Sequence, residues 1–161
     1  MPWLETPTAL LPLWMFNNDG TPFASEPRHA LNQVLARYAK HRLTPITALT
    51  MAFYRIDASG VELQIPRAPL ARQHHPTTDT LSVRALDDFD SFLTDLYAAC
   101  EAMDVPANTT ISESGVGQYE FNLLLCENAL LCADHAWLFK RAAKCIACKH
   151  GFTASFMAKP Y

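Results

Sequence analysis

Glu113-Ser114-Gly115-Val116-Gly117-Gln118-Tyr119-Glu120-Phe121-Asn122 is the stretch from which the rest of the chain can be read. Residues 109–113 and 118–125 are rich in Thr and in alternating apolar and polar side chains, the pattern of half-buried strands. Ser114 to Gly117 interrupts them with two glycines, so the pair reads as a hairpin. Glu113 and Glu120 then stand on neighbouring strands beside the turn, placed to converge on one face. Paired carboxylates suit a hard cation such as Mg²⁺ or Mn²⁺, which takes oxygen ligands and substrate phosphates. The plainer alternative is two solvent-facing strand residues, and spacing alone favours it.

Working outward, residues 128–150 form the longest helical pattern, stopped by Gly151, and residues 152–157 read as a last strand. Upstream, residues 87–103 predict a helix with Phe89, Phe92, Leu93, Leu96 and Tyr97 on its apolar side. Residues 46–56 predict a strand, and Asp57-Ala58-Ser59-Gly60 turns it into a second one over 61–65. Residues 66–80 carry three prolines and no period, and read as a loop. A helix begins at Pro27, with Ser25 or Glu26 as its cap, and runs to about Arg42 through Ala30, Leu31, Val34, Leu35 and Tyr38. Before it, residues 10–16 predict a short strand with Asp19-Gly20 as its turn. Strands and helices mix without strict alternation, which gives an α+β class with an antiparallel sheet backed by helices.

Composition agrees with one such domain. The chain has 161 residues, half of them hydrophobic and 18% charged, enough to bury a core without disulfide or metal. Thirteen basic and 16 acidic residues leave a net charge of −3 with no long run of either sign, which argues against nucleic-acid binding. The first residues lack a basic segment ahead of an apolar one, and no stretch is long enough to span a bilayer, so no membrane association and a cytoplasmic location are expected.

Five cysteines, an odd number, do not suggest a disulfide framework. Cys145-Ile146-Ala147-Cys148 with His150 has the spacing of a small zinc or redox module. Its place in an alanine-rich helix favours packed cysteines instead. His74-His75, Arg67 and Arg72 fall in the proline-rich loop, where solvation is the ordinary outcome.

The stretch 113–122 resembles the metal-binding strand of the glutamine synthetase family, in which a Glu, a glycine-containing turn, Gln, one residue and a second Glu recur. Trp137-Leu138-Phe139-Lys140-Arg141 and Lys149-His150-Gly151 are similar to the family's following helix, and Thr153-Ala154-Ser155-Phe156-Met157-Ala158-Lys159-Pro160 to the strand after it. Asp19-Gly20, Glu26-Pro27-Arg28 and Phe53-Tyr54 fall in the family's order upstream. Phe156-Met157-Ala158-Lys159-Pro160 and Leu138-Phe139-Lys140-Arg141 look like the gamma-glutamylpolyamine synthetase branch. The resemblance spans essentially the whole chain.

It implies an ATP-dependent carboxylate–amine ligase of glutamate or glutamyl-polyamine type, working through a γ-glutamyl phosphate, with Mg²⁺ or Mn²⁺ and ATP as cofactors. On that carry-over Glu113 and Glu120 are metal ligands, and no catalytic residue is assigned. The family's Glu-x-Glu-Phe-Tyr strand appears here as Thr50-Met51-Ala52-Phe53-Tyr54, so both of its carboxylates are replaced. By the same resemblance, residues 1–161 correspond to part of a catalytic domain, without the family's N-terminal β-grasp-like domain or the C-terminal half of the catalytic domain. The expectation is a ligase by descent that is inactive alone. Its rivals are a non-catalytic partner that docks on a full-length synthetase subunit or self-associates, and a gene remnant.

Overall fold

The computed structural model describes residues 1–57 and 80–160. The predicted turn at 57–60, the strand at 61–65, and the loop with Arg67, Arg72, His74 and His75 lie outside the described residues, except for Asp57 and Thr80 at their ends.

Helix α1 spans Pro27–Lys40 and starts as the sequence suggests. Proline tolerates the first turn because the amide it lacks would have no helical partner there. The Glu26 carboxylate caps that turn, accepting hydrogen bonds from the amides of Arg28 (3.0 Å) and His29 (2.9 Å). Strand β1 spans Thr50–Ile56, four residues short of the predicted start. Thr47 does exchange two backbone hydrogen bonds with Cys126, at 3.0 and 2.8 Å, but only as an isolated bridge. Helix α2, Val83–Asp87, has no counterpart in the sequence reading. Ser82 caps it by accepting from Ala85 N. Helix α3 spans Asp90–Glu101, three residues later than predicted, because Phe89 leaves helical geometry (φ −127°). Its ring is buried in the core instead.

The hairpin forms as read: β2 is Ala107–Ser112 and β3 is Gln118–Leu123. Helix α4, Ala129–Lys149, is capped by Asn128 Oδ1, which accepts from Leu131 N at 3.1 Å. The chain reverses at Gly151, whose φ of +78° suits a residue without a Cβ. Strand β4, Thr153–Ser155, closes the sheet and is shorter than predicted. The predicted strand at 10–16 does not form: Pro12 offers no amide to a ladder, and Phe16 makes only a single bridge to Pro22 around the Asp19-Gly20 turn.

The sheet order is β2-β3-β1-β4, antiparallel throughout, so the molecule is α+β as expected. Directly opposed residues share a face. Phe53, Tyr119, Phe121 and Ala154 point to one side and pack on Phe92, Leu96, Phe139, Ala142 and Ala143 from α3 and α4. Phe53 is the hub, with ring centroids 6.0 Å from Phe121, 6.1 Å from Phe92 and 5.5 Å from Phe156. Helix α1 is not part of this backing: His29 is its one buried residue, and an Arg28–Asp134 ion pair ties it to α4.

Candidate metal-binding face

The opposite face of the sheet is polar. The register sets Thr50 across from Asn122, Ala52 across from Glu120, and Tyr54 across from Gln118, with Ile111 on the other flank of Glu120. Glu113 follows β2 directly. Its amide donates to Gln118 O (2.9 Å), and Gln118 N donates back to Gly115 O (2.9 Å), which closes the turn. Gly117 takes a φ of +71° there. Gly115 is required for a different reason, since a Cβ would lie 2.5 Å from both Tyr54 Oη and Gln118 Oε1. The Gln118 side chain accepts from Gly115 N at 3.0 Å, so the turn is braced from within.

This bracing brings Glu113 and Glu120 together. The two carboxyls lie close enough to influence each other's charge, and both residues are half-buried. Partial burial lifts the Glu120 carboxyl above its ordinary range, and the neighbouring Glu113 pushes it the same way. A hydrogen bond from Asn122 opposes the rise. Asn122 is itself held by Thr50, whose hydroxyl donates to Asn122 Oδ1 at 3.0 Å.

The donor set on this face is therefore two carboxylates with neutral amide and hydroxyl oxygens around them. Among the described residues, no group of three or more His, Cys, Asp or Glu side chains could hold a metal ion. Two carboxylates fit one Mg²⁺ or Mn²⁺ that completes its shell with water and phosphate oxygens. They do not fit a second ion, because Ala52 offers no donor and the Thr50 hydroxyl is engaged with Asn122.

The remaining candidates separate. Cys145 is half-buried, but Cys148 is exposed, which corrects the expectation that both are packed. The 3.6-residue period turns Cys148 away from the apolar stripe of Ala143, Ile146 and Ala147. His150 Nε2 contacts Asp95 Oδ2 at 2.8 Å instead of facing the cysteines. The sequence reading passed over Arg55. It is buried with its guanidinium 3.2 Å from the Phe89 ring centroid and 4.2 Å from that of Tyr119. An arginine in a strand with alternating burial carries no local signal of this stacking.

An antiparallel sheet with a helix-packed face and a carboxylate-bearing face defines a class of scaffold, and comparison identifies which one. The model of the glutamine synthetase catalytic domain matches residues 24–161, and the chain belongs to that family. It is 35% identical over 153 residues to the gamma-glutamylputrescine synthetase PuuA of Escherichia coli, covering 92% of this chain and 32% of PuuA. It is 28% identical to a glutamate–isopropylamine ligase of a Pseudomonas species, covering 99% of this chain and 34% of that protein. Among solved structures, ligand-free GmaS superposes with a TM-score of 0.76 at 26% identity, over 89% of this chain and 32% of GmaS. The chain thus spans about a third of the length of these relatives. No helix among the described residues is long and apolar enough to cross a membrane.

Proposed function

We propose that this chain is a portion of the catalytic domain of a carboxylate–amine ligase. It would join an amine to glutamate or a glutamyl-polyamine through a γ-glutamyl phosphate, with ATP and Mg²⁺ or Mn²⁺. The observation that carries the reading is the convergence of Glu113 and Glu120 beside the braced turn, in a chain of this family. These two residues would hold the one cation, and that cation would offset phosphate charge during transfer. The chain's own contribution is positional. Gly115 and Gln118 fix the turn, so that Glu113 and Glu120 are held on the same face of the hairpin.

Alone, the chain is expected not to turn over, because one carboxylate pair cannot supply the ligand sets of two ions. ADP release from ATP is the test, with Mg²⁺ or Mn²⁺, glutamate, and ammonia or putrescine, and with Glu120→Ala as the control for a contaminating host enzyme. The expected result is no release above the control. Turnover that disappears in Glu120→Ala contradicts the inactivity.

A second reading is a non-catalytic subunit that docks on a full-length synthetase. The exposure of Leu11 (72%), Leu13 (73%) and Met15 (55%) favours it, since such side chains gain from a covering partner. Co-purification with a longer synthetase subunit supports that reading, and a clean monomer counts against it.

A further inference from the structure

Ser112 and Tyr119 stand directly opposite each other in the hairpin, one residue before Glu113 and Glu120 respectively. Both are buried, and both are anchored to residues 81–89. Leu81 N donates to Ser112 O at 2.9 Å, and Ser82 N donates to Ser112 Oγ at 2.6 Å. The Tyr119 hydroxyl donates to Ala85 O. Arg55 completes this anchorage from β1. Its amide donates to Gly117 O at 2.9 Å, so its backbone holds the turn. Its guanidinium is buried against Tyr119 and Phe89, whose ring centroids are 6.4 Å apart. An apolar side chain would fill that space without the cost of burying a charge. What arginine adds is a flat cationic plate that lies against two rings at once.

We propose that Arg55 is a positioning residue for the Glu113–Glu120 pair, acting through the Gly117 turn and the Tyr119 ring. Between Gly117 and Tyr119 the backbone is gripped at both ends by this one residue. Glu120 comes next along β3, and successive strand residues point to opposite faces. Fixing the Tyr119 ring on the core side therefore fixes the Glu120 side chain on the other. Gln118, in the same gripped stretch, accepts from Gly115 N and so braces the turn that follows Glu113. The role rests on reading the two carboxylates as a cation site, whereas the grip itself does not. The apparent affinity for a cation that needs both carboxylates scales with the fraction of molecules that hold both in place.

The test is Arg55→Lys in the full chain, which keeps the strand amide and the positive charge but loses the flat guanidinium. Two quantities are read on the folded protein: Mn²⁺ affinity by electron paramagnetic resonance, and backbone order parameters by ¹⁵N relaxation. Mn²⁺ should bind about fivefold more weakly. Order parameters at the amides of Gly117 and Gln118 should fall from about 0.85 toward 0.6, while those within α4 stay unchanged. A residue that merely stabilises the core would lower the melting temperature and leave both quantities where they are. Unchanged affinity, or a turn as rigid as in wild type, therefore overturns the positioning role. Loss of order spread equally over α4 overturns it too. Absence of Mn²⁺ binding in wild type refutes the cation site instead, and the order parameters then still decide whether Arg55 holds the turn. If Arg55→Lys does not fold, Phe89→Leu removes the other ring of the stack, and the same changes in the same two quantities are expected.

Discussion

At the scale of single residues, Glu120 carries the most information. Its carboxyl sits above the ordinary range because burial and Glu113 disfavour its charge. A carboxyl raised in this way is most comfortable protonated, so its contribution to stability is present at low pH and is lost as pH rises through the elevated value. Glu120→Gln should therefore melt at a higher temperature than wild type at neutral pH. The advantage should vanish in acid, and thermal melts across pH check it. Gly115→Ala should cost about 1–3 kcal/mol in urea unfolding, the price of overpacking against the Tyr54 ring and Gln118. That Glu113 and Glu120 share a face could be read from the sequence, because a two-glycine turn and period-2 strands set which side chains stand together, while their spacing did not decide whether they act together. The stacking of Arg55 and the exposure of Cys148 could not be read there. Both depend on which way an element faces, and that is set by partners distant in the chain.

At the scale of elements, what could be read was whatever has a local cause. Pro27 with Glu26 starts α1, Asn128 and Gly151 bound α4, and the hairpin follows from its turn. Asn128→Ala should destabilise by about 1 kcal/mol in the same urea titration, because an orphan amide of the first turn loses its acceptor. The misses have physical reasons too. Helix α2 is five residues long, too short for an apolar period, and it is held by its Ser82 cap and by Tyr119, whose hydroxyl donates to Ala85 O. The pattern at 10–16 looked like a strand because Leu10, Leu11, Leu13 and Trp14 have strand-like bulk. A strand needs a partner edge as well as side chains, and Pro12 removes a donor in the middle.

At the scale of the molecule, one aromatic core joins the sheet to α3 and α4, with Phe53 in contact with Phe92, Tyr119, Phe121 and Phe156. Phe53→Ala should cost about 3–5 kcal/mol, a large fraction of a typical domain's stability. Cooperative unfolding should weaken or disappear in that variant. The polar face on the other side of Phe53 holds the two carboxylates and little else that binds a cation. The most direct test of the account is Mn²⁺ titration of the folded chain followed by electron paramagnetic resonance. The account expects a single site with a dissociation constant of roughly millimolar order, as two carboxylates and water allow, and its loss in Glu120→Ala. Two sites, or affinity unchanged by Glu120→Ala, would contradict it.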